Sequence, residues 1–173
     1  MTISAVVTAH KDRNQLLTCL KNLKKQTKQP DEVILCVSDM PINFLEANII
    51  VKDINRNDWG HNKRDIGLRL ATKDYIVFIN ADDEYHVEFL EKLSQHTEDL
   101  IYCDFESHLA GRIIESYPSM GTITSGNFII KRELAQKVGW KHRDYLADGK
   151  FIMEIMEQQP TYVRVPEVLY YHR

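Results

Sequence analysis

Tyr75-Ile76-Val77-Phe78-Ile79 is an uninterrupted apolar run of strand length, and it ends in the acidic turn Asn80-Ala81-Asp82-Asp83. A strand without polar alternation has both faces covered, the condition of a parallel sheet enclosed by crossover helices. Similar runs precede it. Ile3 to Thr8 leads through polar His10 to Asn14 into Leu16, Leu17, Leu20 and Leu23 at helical spacing. Pro30-Asp31 is read as the stop of that helix, Val33 to Val37 as a second strand, and Asp39-Met40-Pro41 as its break. Ile49-Ile50-Val51, the turn Asn57 to Gly60 and a helix from about His61, with an apolar stripe at Ile66, Leu70 and Ala71, complete the approach to Tyr75. The expected fold class is α/β, with a Rossmann-like, mostly parallel sheet flanked by helices.

Beyond the acidic turn the order changes. Val87, Leu90 and Leu93 have helical spacing, and Leu100 to Phe105 is a strand that can pair with Arg112 to Ile114 across a turn at Gly111. Phe128 to Ile130 (strand), Glu133 to Val138 and Gly149 to Glu157 (helices) and Tyr162 to Val165 (strand) give a mixed α+β second half. No linker or repeat marks a boundary, so residues 1–173 are expected to form a single domain.

Bulk properties narrow the partners. A net charge of −3 lacks the cationic surplus that binding a nucleic acid polymer requires. Lys21, Lys24, Lys25 and Lys28 read as the solvated face of a helix. Cys19, Cys36 and Cys103 sit in apolar runs at wide spacing, as buried reduced thiols do, which points to a cytoplasmic protein. No run reaches the roughly 20 apolar residues of a membrane span.

In an open parallel sheet, ligands bind beyond the carboxyl ends of the strands. Thr8 and His10 follow the first strand, Asp39 the second, and Asn80, Asp82 and Asp83 the run YIVFI, so the expected crevice lies among them. Paired acids there suit Mg²⁺ or Mn²⁺ held by one or two carboxylates, water and substrate phosphates. Taken alone, Asp82 or Asp83 serves equally well as an N-cap for the helix of Val87 and Leu90, and Asp148 as a cap for the helix behind it.

The stretch Asn62-Lys63-Arg64-Asp65-Ile66-Gly67, continued by Leu70-Ala71-Thr72-Lys73-Asp74 and YIVFINADD, resembles the pattern ARNxGxxxAxGxYIxFLDADD of family-2 glycosyltransferases. The start AVVTAHKDR is similar to the opening strand of that family, and the segment Ser125-Gly126-Asn127-Phe128, Ala147-Asp148 and the tail PEVLYYHR are similar to its later parts. The resemblance implies a GT-A fold with a nucleotide-binding half over about 1–100 and an acceptor and catalytic-base half over about 101–173. It implies a nucleotide-diphosphate sugar donor, most simply a UDP-sugar. Thr8, His10 and Asp39 would lie near the nucleoside, Arg64 near the diphosphate and Asn80 near the ribose. Asp82 would bind Mn²⁺ or Mg²⁺, with His172 a second metal candidate, and Asp148 would be the base of an inverting transfer. The acceptor would be a glycan, a lipid-linked glycan or a protein.

Departures from the pattern shape further expectations. Asn80 replaces an Asp and removes one charge from the metal site; Asp65 stands where the pattern has Asn and puts an acid near the diphosphate; and Asp148 lacks the preceding Glu. The short tail suggests an open acceptor site suited to a large acceptor. Two other readings compete: a non-catalytic nucleotide- or glycan-binding module of the same fold, and a nucleotidyltransferase, whose Gly-rich phosphate loop is missing from AHKDRN. A receiver-like domain would need a regular βα alternation throughout, which the second half lacks.

Overall fold

The computed structural model describes residues 1–42, 47–54 and 57–173. The chain runs β1 (Ile3–His10), α1 (Arg13–Lys24), β2 (Glu32–Ser38), β3 (Ile49–Asp53), α2 (His61–Leu70), β4 (Tyr75–Asn80) and β5 (Glu84–Tyr85). It continues with α3 (Phe89–Leu93), β6 (Leu100–Ser107), β7 (Arg112–Ile114), β8 (Phe128–Lys131), α4 (Arg132–Val138), α5 (Ala147–Met156) and β9 (Tyr162–His172). Among the described residues all strands join one nine-stranded sheet in the order β3-β2-β1-β4-β8-β6-β9-β5, with β7 on β6.

Strands β3, β2, β1 and β4 are mutually parallel, in keeping with strands covered on both faces by crossover helices. The expected mixed character of the second half enters at β8, which lies between β4 and β6 and runs antiparallel to both. Strands β6 and β9 are parallel again, while β5 and β7 pair antiparallel with their neighbours. The sheet is therefore mixed rather than a single Rossmann unit. An apolar run such as Phe128 to Ile130 reports burial but is silent on direction.

Alternation along the strands splits the core in two. Ile3, Ala5 and Val7 of β1 and Tyr75, Val77 and Ile79 of β4 pack with Leu16, Cys19 and Leu23 of α1 and Phe89, Leu90 and Leu93 of α3. On the other face Val6, Ile76 and Phe78 meet Leu68 of α2, Ala135 and Val138 of α4, and Phe151, Ile152 and Ile155 of α5. Trp140 seals that face, with ring centroids 4.9 Å from Phe78 and 4.5 Å from Phe151. Such aromatic contacts add about 0.5–1.5 kcal/mol each beyond the area they bury. The three cysteines are buried free thiols, as their apolar context implied, and burial raises the pKa of each.

Local differences from the sequence reading have physical causes. Helix α1 starts at the Asp12 cap, whose carboxylate accepts from Asn14 N and Gln15 N at 2.9 and 3.0 Å, and it ends at Lys24, before Pro30 is reached. Lys21, Lys24 and Lys25 are exposed, in line with a solvated face. In α2 the buried residues are His61, Lys63, Arg64, Gly67 and Leu68; Ile66 is half-buried and Leu70 exposed. Gly67 sets this orientation, because a Cβ there would come within 2.2 Å of Val6 Cγ1. The helix sits directly on β1 and turns its basic residues inward. Strand β9 outruns the expected Tyr162 to Val165: a register irregularity opposite Asp104 absorbs Pro166, and pairing then resumes to His172. Among the described residues no helix is long and apolar enough to cross a membrane.

Candidate functional site

Thr8 on β1 and Asn80 on β4 are register partners at the carboxyl ends of adjacent parallel strands. They form the floor of a cleft of about 890 Å³ that Arg64 of α2, the loop Asn80 to Asp83, Ser125, Asp148 of α5 and His172 of β9 also line. Both halves of the chain supply its walls.

Asn80 organises this floor. Its Oδ1 accepts from Arg64 Nη2 at 2.6 Å and Thr8 Oγ1 at 3.4 Å, and its Nδ2 donates to Asp83 Oδ2 at 2.8 Å and Ser125 Oγ at 3.3 Å. A carboxamide offers two acceptor and two donor positions, and all of them are occupied. An Asp at this position would have no N–H for Asp83. The departure of Asn80 from the expected acid thus has a local reason: it lets two acid-loop positions sit together in a buried place.

Asp83 is buried and also accepts from Tyr170 Oη at 2.5 Å and Arg173 N at 3.0 Å, which tie the loop to β9. Burial pushes its pKa up, against the lowering effect of these donors. It does not cap the following helix. Residue Glu88 holds the cap position of α3 without a side-chain bond, β5 intervenes, and Val87 is 44% exposed. Asp82 is exposed and lines the cleft, so it is the carboxylate of the loop left open to a ligand.

Arg64 is only 6% exposed, and its Nη1 donates to Trp59 O at 2.8 Å. Among the described residues it has no carboxylate within ion-pair distance, and its buried Nε has no hydrogen-bond partner. His61 lies beside it. Its Nδ1 faces Trp140 Nε1 at 3.2 Å and Arg64 Nη1 at 3.3 Å. Both neighbours can only donate, so Nδ1 is the bare acceptor and the ring proton sits on Nε2. Burial and then the Arg64 charge push the His61 pKa down to about 4, against the opposing influence of Asp148 and Asp58. Lys63 also lines the cleft; burial depresses its pKa while Asp58 and Asp53 act in the opposite sense.

A depressed histidine pKa has a consequence for folding. The unfolded chain takes up a proton near pH 6.5, whereas folded His61 resists it to about 4. Its contribution to stability is therefore complete above about pH 6.5 and is lost as pH falls toward 4, by up to about 3 kcal/mol. Urea unfolding from pH 7.5 to 4.5 is expected to show this loss, and His61→Gln to make the slope shallower. Equal slopes for the two proteins would refute the assignment.

Asp148 lies in the first turn of α5, inside the helix rather than at its cap, which is Leu146. Its Oδ2 accepts from Ser125 N at 3.2 Å, and the half-buried carboxylate lines the cleft. The capping role considered from sequence is thus excluded. His10 lines the cleft as well, with Nδ1 2.9 Å from Ser38 Oγ and 3.7 Å from Asp39 Oδ2. Asp39 itself stands behind His10, outside the residues that line the cleft, in a left-handed backbone conformation with φ of 56°. Asp65 is also elsewhere: it pairs with Arg143 at 3.1 Å and Arg69 at 3.3 Å, which removes the expected clash with an anion in the cleft.

His172 and Asp82 line the same cleft, yet among the described residues no group of three or more His, Cys, Asp or Glu could hold a metal ion. Sequence reasoning missed Gly60, His61, Lys63, Trp59, Tyr145 and Tyr170 as cleft residues. The sequence signal for Tyr170 was its place in the tail PEVLYYHR; the structure sets its ring against Gly126, where a Cβ would approach it to 2.4 Å.

Comparison with known proteins accords with this arrangement. The amylovoran biosynthesis glycosyltransferase AmsB of Erwinia amylovora is 28% identical over 53% of this chain and 34% of AmsB. Among solved structures, TarS of S. aureus superposes with a TM-score of 0.73 at 15% identity, over 99% of this chain and 36% of TarS. The mannosyltransferase PcManGT from Pyrobaculum calidifontis, in complex with GDP-Man and Mn²⁺, gives 0.71 at 14% identity, over 98% of this chain and 56% of PcManGT. At these identities the structural likeness is one of fold. The chain spans about a third of the length of AmsB and of TarS. The profile of glycosyl transferase family 2 matches residues 4–139, most of the sequence, and the chain belongs to that family.

Proposed function

We propose that the cleft binds a nucleotide-diphosphate sugar and transfers the sugar to an acceptor hydroxyl, with residues 1–100 serving the nucleotide and 101–173 the acceptor and the base of a GT-A-type domain. The observation that carries this reading is Arg64: a buried guanidinium in a cleft floor, without a carboxylate partner among the described residues, is a site built for an anion. A diphosphate meets that need. Thr8 and His10 would flank the nucleoside, with Asp39 acting through His10. Asn80 would hold Arg64 in place rather than contact the ribose, because its carboxamide is fully engaged.

In the proposed transfer the acceptor oxygen attacks the anomeric carbon, its proton passes to the Asp148 carboxylate, and the C–O bond to the diphosphate breaks with its electron pair leaving on the phosphate oxygen. In-line attack inverts the anomeric centre. Arg64 would stabilise the charge gathering on the diphosphate. The donor set fits a divalent cation held by Asp82, with His172 a further candidate, only if phosphate oxygens complete the shell, as is usual for Mg²⁺. Such an ion, when bound, would neutralise diphosphate charge.

The test is thermal unfolding with UDP, GDP and CMP, each with and without Mn²⁺, because a ligand specific to the native state raises Tm. PcManGT, similar in fold, is described with GDP-Man and Mn²⁺, and a TarS fragment with UDP-GlcNAc, so the first two nucleotides cover the donors in those structures. A Mn²⁺-dependent rise with at least one nucleotide is expected. No rise with any of them would overturn the transferase reading.

A further inference from the structure

The cleft wall carries an aromatic pair that the donor chemistry leaves unused. Trp59, in the turn before α2, is 61% exposed, and Tyr145, in the turn before α5, is 63% exposed. Both line the cleft, and their rings meet edge to face with centroids 6.1 Å apart. The edge-to-face contact joins two segments far apart in sequence and leaves ring surface open to solvent.

Hydrogen bonds fasten the turns that carry both rings. Trp59 adopts φ of 51°, a left-handed conformation that is an outlier for a bulky side chain. The turn is fastened by buried Asp58, whose Oδ1 accepts from Gly60 N at 3.1 Å and Oδ2 from Asn62 N at 2.8 Å, and by the Trp59 carbonyl on Arg64. The turn that carries Tyr145 is fastened at Asp144, whose Oδ1 accepts from Leu146 N at 3.0 Å and whose Oδ2 accepts from Lys150 Nζ at 2.7 Å. Backbone strain of this kind persists where surrounding structure enforces it, and it collects at ligand sites. An indole this exposed recovers little of that cost by burial.

Resting on the transferase reading, we infer that Trp59 and Tyr145 form a saccharide subsite that seats the acceptor sugar beside Asp148. A pyranose ring has a face of C–H groups and a rim of hydroxyls. The exposed ring faces match the first, and Asp148 together with the Tyr145 hydroxyl matches the second. Position favours a sugar over a nucleobase. Tyr145 is three residues before Asp148, on the turn that leads into α5, while Trp59 adjoins Gly60, which lies against Thr8 and Arg64, so the pair reaches from the donor side of the cleft toward the base, as an acceptor seat must. The acceptor is therefore a glycan rather than a bare protein hydroxyl.

Trp59 and Trp140 are the only tryptophans of the sequence, and Trp140 is 1% exposed, so Trp59 reports on this subsite by fluorescence. The experiment titrates maltose, cellobiose, lactose, mannobiose and chitobiose into the full chain, with and without UDP. At least one disaccharide is expected to shift the emission saturably. Tyr145→Ala should weaken that response about tenfold, and Trp59→Phe should abolish the emission change while the same disaccharide still raises Tm. Nucleotide-dependent stabilisation should be unaltered in both variants. The inference falls if no disaccharide shifts the emission, or if Tyr145→Ala removes stabilisation by nucleotide, which would make the pair part of the donor site. Failure of nucleotide to stabilise the wild type overturns the transferase reading separately; a saccharide response surviving that result would support a glycan-binding subsite alone.

Discussion

Asp148→Asn is expected to lower sugar transfer by about 10²–10⁴-fold, the usual contribution of a positioned general base, while leaving nucleotide binding within about twofold of wild type. The substitution is conservative for the fold. Asp148 accepts one hydrogen bond, from Ser125 N, and an Asn oxygen can accept it too. What it cannot do is take a proton from an attacking hydroxyl. Asp82→Ala should give the opposite pattern, because Asp82 is exposed on the acidic loop and, among the described residues, makes no hydrogen bond or ion pair: Mn²⁺-dependent nucleotide binding weakens, and stability changes little. Single-turnover transfer rates and nucleotide titrations on both variants separate the roles. Equal losses of binding in the two would show that Asp148 belongs to the donor site and is not the base.

The division of labour within the acidic loop follows from strand geometry. Asn80 ends β4 on the face of Val6 and Phe78, where α2 and α5 pack, and this is why it meets Arg64 and Ser125. Asp83 turns inward to Tyr170 and Arg173, so β9 fastens the loop from the far end of the chain. Asp82, between them, is left to the cleft. A loop clamped on both sides of a free carboxylate presents that carboxylate in a defined position.

The parallel half of the sheet and the place of the cleft were legible in the sequence because both depend on local pattern. Runs such as YIVFI report burial on two faces, and strand-end polar residues mark the carboxyl edge. The sequence was less informative wherever the deciding contact was distant. The direction of β8 depends on pairing with β4 and β6, the inward face of α2 depends on Gly67 meeting Val6, and the length of β9 depends on a bulge around Pro166. Site residues divide along the same line. Thr8, Asn80 and Asp82 follow from strand ends, whereas His61, Trp59 and Tyr145 sit in turns and on a helix whose orientation no periodicity reveals. Asp39 obeyed the strand-end rule and still fell outside the cleft lining, because its side chain turns to His10.

Arg64→Met is expected to separate binding from stability more sharply than any other change at the site. In most cores, removing one partner of a buried charged pair costs about 3–5 kcal/mol, because the other charge is stranded. Arg64 has no carboxylate partner among the described residues, so its removal strands no charge; it leaves the Trp59 carbonyl and one acceptor position of Asn80 to be satisfied by water. Met retains much of the aliphatic volume against Trp140, although the contact of the Arg64 guanidinium with that ring, at 5.7 Å, is lost. The net stability change is expected to lie within about 2 kcal/mol, and removal of the nearby cation should also let the His61 pKa rise. Nucleoside diphosphate affinity, by contrast, should fall by about 30-fold or more, since a charge-assisted contact in a buried site is worth about 2–3 kcal/mol. Urea unfolding and UDP or GDP titration on the same preparation measure both quantities. A variant as stable as this that still binds nucleotide like wild type would mean that the guanidinium serves the fold and that the anion site lies elsewhere.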